Sequence, residues 1–163
     1  MPRPHPPQRA TPLATLRLGA LAGLAGGCTI WLYELVVWVH FLRIRTVEGL
    51  LENSAVLVFG PRAAAWPHPV TLAVSALVHF ATAAAWGALF ALLWPALRRR
   101  AVEATLAALF YGVFAWVVMH NVVLAALSPV PPSYTTYVVL NGLVSHTFAF
   151  SVPVALLVKR HAR

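Results

Sequence analysis

The chain is expected to be an all-α integral membrane protein, an antiparallel bundle of four transmembrane helices with both termini in the cytoplasm. Three observations predict it. Hydrophobic residues make up 60% of the 163, charged residues only 10%, and mean hydropathy is +0.77, far from the balance of a soluble domain. No Asp, Glu, Lys or Arg occurs from Ala63 to Leu97 or from Ala104 to Val158, and both runs exceed the roughly 20 residues that cross a bilayer once. The second run must therefore cross twice. Neither run alternates polar with nonpolar residues as a membrane β-strand does, so the spans are helices.

Residues 1–17 begin with a Pro-rich head, Met1 to Pro12, and are expected to be a disordered basic tail. The first span covers about 18–42. Within it, Leu24-Ala25-Gly26-Gly27-Cys28 loosely matches a lipoprotein cleavage site, but the nonpolar stretch continues through Trp31 and Trp38, so the helix is taken as uncleaved. Cys28 is the single cysteine, which excludes an internal disulfide or a thiolate cluster. A loop over 43–69 follows. Its middle, Thr46 to Phe59, mixes Val47, Leu50, Leu51, Val56, Leu57 and Phe59 with Glu48, Glu52 and Asn53, the pattern of a short helix on a membrane surface acting as lid or spacer. Pro67 and Pro69 introduce the second span, about 70–95, which Trp94-Pro95 and Arg98-Arg99-Arg100 end. The third and fourth spans, about 103–127 and 135–158, are separated by Ser128-Pro129-Val130-Pro131-Pro132, and residues 159–163 form a second basic tail.

Basic residues set the orientation. With the N-terminus inside, Arg3, Arg9, Arg17, Arg98, Arg99, Arg100, Lys159, Arg160 and Arg163 are cytoplasmic and Arg43, Arg45 and Arg62 are outside, nine against three. The net charge of +8 then serves topology and contact with anionic lipid, and no nucleic-acid motif accompanies it.

Each span carries one residue that hydrocarbon normally excludes: Glu34, His79, His120 and His146. Counted from the outer span ends at 1.5 Å per residue, all four fall about 10 to 16 Å below the outer boundary, in one layer. Small and polar residues share their faces. Ser75, His79, Thr82 and Trp86 follow a 4-3-4 spacing, Gly142, His146, Phe150 and Pro153 share a face, and Gly112, Trp116 and His120 line up beside Asn121. Gly19, Gly23, Gly26, Gly27 and Ile30 lead toward Glu34, at spacings that let helices approach closely. His40 lies six residues after Glu34 on another face, and His5, His68 and His161 fall outside the spans.

Three imidazoles and a carboxylate would satisfy a tetrahedral or five-coordinate transition-metal ion, with Glu34, His79, His120 and His146 as ligands. One or two of the histidines His79, His120 and His146 could instead hold haem, and a third use is proton relay. The alternative is that the histidines only hydrogen-bond between helices, in an accessory subunit whose Gly- and Ala-rich faces pack against a larger membrane complex or a second copy. Paired carboxylates, a phosphate-binding Gly loop, a nucleophile elbow and a metalloprotease motif are all missing, so a binding or accessory role is expected over an enzymatic one. No convincing internal repeat is present, and four spans are few for an alternating-access transporter.

The order His79-Phe80, Gly87, Trp94-Pro95, Gly112, His120, Pro131-Pro132 and His146 resembles the YagU family of bacterial inner-membrane proteins, over about residues 70–158. The resemblance implies a small multi-pass protein of the inner membrane whose biochemical role is poorly defined. The first span and the shorter outside loop depart from the family pattern, so Glu34 stands outside the resemblance.

Overall fold

The computed structural model describes residues 11–128 and 134–161. The head over residues 1–10, the segment holding Pro131-Pro132 and the last two residues lie outside that description. All regular structure among the described residues is helical. Four helices are long and apolar enough to cross a membrane: Pro12–Phe41, His68–Arg99, Ala104–Leu127 and Thr136–His161, here the first to fourth spans.

Only the second span is one uninterrupted α-helix, α4 (His68–Arg99). The first is α1 (Pro12–Glu34) continued by π-helical turns over Leu35–Phe41. The third is α5 (Ala104–Val118), π-helical turns over Met119–Val123, then α6 (Leu124–Leu127). The fourth is α7 (Thr136–Val144), π-helical turns over Ser145–Ser151, then α8 (Val152–His161). Between the first two spans lie α2 (Val47–Leu51), α3 (Asn53–Phe59) and a 3₁₀ turn, Pro61–Ala65.

Several span ends differ from the sequence expectation, each for a local reason. α1 starts at Pro12, because the Thr11 hydroxyl accepts from the Ala14 N–H and proline at the first helical position gives up no intrahelical bond. Residues 12–17 are thus helix, not tail. α4 runs through Pro95 to Arg99, since Trp94 beside it is only 5% exposed and Phe90 is fully buried, packing that offsets the missing proline N–H. α8 continues to His161. The loop helix expected over 46–59 is two helices, with the Thr46 hydroxyl capping the first. Gly60 ends the second at φ 76° and ψ −169°, which a side chain would strain.

The first and second spans meet along a seam of small residues. A methyl on Gly19 would strike Gly87, Ala88 and Ala91; one on Gly23 would strike Ala83 and Ala84; one on Gly27 would press on Ala83 and Phe80. Gly26 faces Phe150 and Val154 of the fourth span, and Gly112 of the third faces His146 and Thr147. Close backbone approach of this kind suits helices that gain little from burying apolar surface in lipid. A plug of buried Phe90, Trp94, Tyr111, Phe150, Val154 and Val158 fills the half of the molecule nearer the Arg98–Glu103 turn. Leu21, Leu77, Phe110 and Phe148 point outward, between 61% and 70% exposed.

Candidate functional site

Above the plug, at the end that carries α2 and α3, the helices separate around a cavity of about 450 Å³. This lies within the range of about 300–1,000 Å³ typical of small-molecule pockets. Its walls come from every span: Ile30, Trp31 and Glu34 from the first, His79, Thr82 and Trp86 from the second, Met119 and Val123 from the third, His146 and Phe150 from the fourth. Leu50, Asn53, Ser54, Leu57 and Val58 of α2 and α3 roof it. Most of this lining is apolar, with Glu34, His79 and His146 as its ionisable members.

Each histidine is fixed by backbone. His146 donates from Nδ1 to the Gly142 carbonyl at 2.8 Å, with the Ser145 hydroxyl 3.2 Å from the same nitrogen. A neutral imidazole held this way keeps the lone pair of Nε2, the arrangement that orients metal-ligating histidines. His120 donates from Nδ1 to the Trp116 carbonyl at 3.2 Å and stacks on the Trp116 indole at 4.5 Å. His79 is set the other way round, donating from Nε2 to the Gly27 carbonyl at 3.0 Å across the glycine seam and stacking on Trp31 at 4.4 Å.

The π-helical turns explain why these groups stand where they do. A π turn spaces its hydrogen bonds by five residues, places an extra residue in the helix and is frequent at functional sites. His120 and His146 lie within such turns and Glu34 immediately precedes one. Sequence periodicity at 3.6 residues gave no sign of these turns.

The four expected ligands divide. Glu34, His79 and His146 share the cavity, while His120 stands behind it, its ring edge-on to that of His146 at 6.3 Å. Among the described residues, no three His, Cys, Asp or Glu side chains gather closely enough to hold one metal ion, so a four-ligand metal cluster is not assembled. The cavity itself separates the walls that carry the donors. His40 is exposed and packs only on Phe41, and His161 bonds the Leu157 carbonyl within its own helix. His68, given no role from sequence, pairs with Glu52 at 2.7 Å and fastens the loop to α4.

The sequence put Trp116 on the face of His120 and a lid or spacer over 46–59, but gave Trp31 no part in the site and did not show what fastens the lid. Trp31 precedes Glu34 by three residues, a spacing that shares a helix face, and this signal was available. The roof is held down by Ser75, which is fully buried and accepts from the N–H groups of Ser54 at 3.1 Å and Ala55 at 3.3 Å. Thr71 adds a bond to the Ala63 carbonyl at 3.1 Å. At the plug, Ser151 Oγ is buried with no hydrogen-bond partner among the described residues. No protein-family model, no curated protein and no solved structure matches this chain.

Proposed function

We propose that the chain is a small protein of the bacterial inner membrane, an antiparallel four-helix bundle with both termini in the cytoplasm, that binds a cofactor in its outer-half cavity. Of the two cofactor classes suggested by three histidines and a glutamate, haem suits this geometry better than a bare transition-metal ion. A bare ion needs three or four protein donors around one point. Haem brings four nitrogens of its own and needs one or two axial imidazoles within an apolar pocket. The observation that carries the reading is His146 on the cavity wall, with Nδ1–H committed to the Gly142 carbonyl and Nε2 left as the donor. His146 would hold the group through Nε2, with His79 as the second candidate. When bound, such a group supplies redox or ligand-binding chemistry; the chain fixes the imidazole, supplies apolar walls and keeps water out.

The basic residues support the orientation: nine lie on the side assigned to the cytoplasm and three on the other. The partial YagU resemblance supports the inner membrane. An accessory role resting on Gly-rich faces is less favoured, because Gly19, Gly23, Gly26 and Gly27 are already occupied by this chain's own helices. Proton relay across the bilayer is less favoured because the plug is aromatic and aliphatic.

The test is a visible spectrum and metal content of protein purified in mild detergent, followed by haemin titration. A near-stoichiometric Soret band, lost in His146→Ala, is the expected result. Metal without a Soret band would favour the bare ion, and folded protein with neither, before and after haemin, would reject the cofactor reading.

A further inference from the structure

We propose that the cavity is entered from the side, through a window between the second and third spans beneath α3, and that what it admits is a bilayer-dissolved molecule with an apolar body and a polar head. The proposal rests on the cavity's being a binding site and extends it to a route and a ligand class. Named contacts among the described residues join the other neighbouring elements. The plug of Phe90, Trp94, Tyr111 and Val154 blocks the end nearer Arg98. The first and second spans are joined by the glycine seam and, at the level of the cavity, by Trp31 stacked on His79. The first and fourth are joined where the Thr29 hydroxyl donates to the Ala149 carbonyl and Tyr33 to Asn141 Oδ1 at 3.1 Å. The third and fourth are closed by Gly112 on Thr147 and Gly142 on Trp116. The roof is tied to Ser75.

The second and third spans behave differently. Tyr111 donates to the Trp86 carbonyl, and Trp86 meets the rings of Tyr111 and Phe114. Beyond this level, toward α3, α6 packs on α3, and Met119–Leu127 makes no extended packing on α4 among the described residues. Val78, Ala81 and Thr82 therefore face Met119, Val123 and Leu127 across the cavity, all of them part of its lining. Five of these six edges are apolar, and Ala81 and Leu127 are exposed on the outer surface of the bundle. A charged aqueous solute would find no partner on that path, whereas an amphiphile could slide its apolar body in and bring its head to Glu34, His79 and His146.

A cysteine on the far wall tests the route without haem, so its outcome is independent of the cofactor reading. Ile30→Cys is made in a Cys28→Ser background and reconstituted in vesicles, with Ala115→Cys as the alternative if the first variant misfolds. N-phenylmaleimide, which dissolves in the bilayer, should label this thiol at least about tenfold faster than a sulfonated maleimide, corresponding to a clear barrier difference. Ala81→Phe, which fills the window, should slow that labelling about tenfold, while Leu77→Phe on the outward face should leave it unchanged. Equal labelling by the charged reagent, or no effect of Ala81→Phe in folded protein, would overturn the proposal and place the entrance through the α2–α3 roof, on the aqueous side.

Discussion

An indole and a carbonyl together hold the ring of His79, and another indole and carbonyl hold that of His120, so neither is free to swing. His120 depends on Trp116, and Trp116 in turn depends on the absence of a side chain at Gly142, where a methyl would collide with the indole nitrogen. Gly142→Ala should push the indole aside and cost about 1–3 kcal/mol, the usual range for overpacking. Thermal unfolding and the tryptophan emission maximum would register it, and an unchanged emission maximum would mean that the indole does not depend on this glycine. The histidines and Glu34 were legible in the sequence because ionisable residues stand out against hydrocarbon. Their division into three cavity residues and one behind was not, since it depends on ring orientations that spacing does not encode.

At the scale of elements, the α1–α4 seam is the most extensive helix–helix contact among the described residues. Gly23 lies against the backbone of Ala83 and Gly87, which cannot retreat as a flexible side chain would. Gly23→Val should destabilise the protein by about 1–3 kcal/mol or more and lower its unfolding temperature in detergent. If it leaves stability intact but removes a co-purifying protein, that face serves a partner. The glycine spacing made this seam readable, and the 4-3-4 face of the second span likewise put His79, Thr82 and Trp86 on the cavity. Element ends were less readable. A proline tolerated inside α4, as Pro95 is, depends on how well Trp94 is packed, which is a tertiary property.

Across the whole molecule, the third and fourth spans are clasped at the Arg98–Glu103 turn. Glu103 caps α5 through the Thr105 and Leu106 N–H groups and reaches Lys159 at 3.2 Å. Chiefly the Thr105 N–H, then the Lys159 ammonium, hold its carboxyl down to about 2, below the usual carboxylate value of about 4.3. A depressed pKa contributes stability above the unfolded value that is lost as pH falls through the folded one. Unfolding temperature should therefore drop between about pH 4.3 and 2. Glu103→Gln should flatten that part of the drop; an identical slope in the variant would assign the acid sensitivity to other groups. The class of the molecule was plain from composition, because long uncharged runs permit little else. The roof was legible as a lid or spacer over 46–59 but its seat was not, because its place over the cavity is set by the contact of Ser54 and Ala55 with Ser75, some twenty residues away. The π-helical turns carry a last consequence. Each holds one residue more than an α-helix of the same rise would need, and one residue corresponds to about 100° of rotation. In a regular helix the loss of a single codon would turn everything beyond it by about that angle, but within Met119–Val123 it can be absorbed by a return to regular helix, so that α6 keeps its face relative to α5. The chain can thus lose a residue at this turn and still present the same α6 side chains to the cavity.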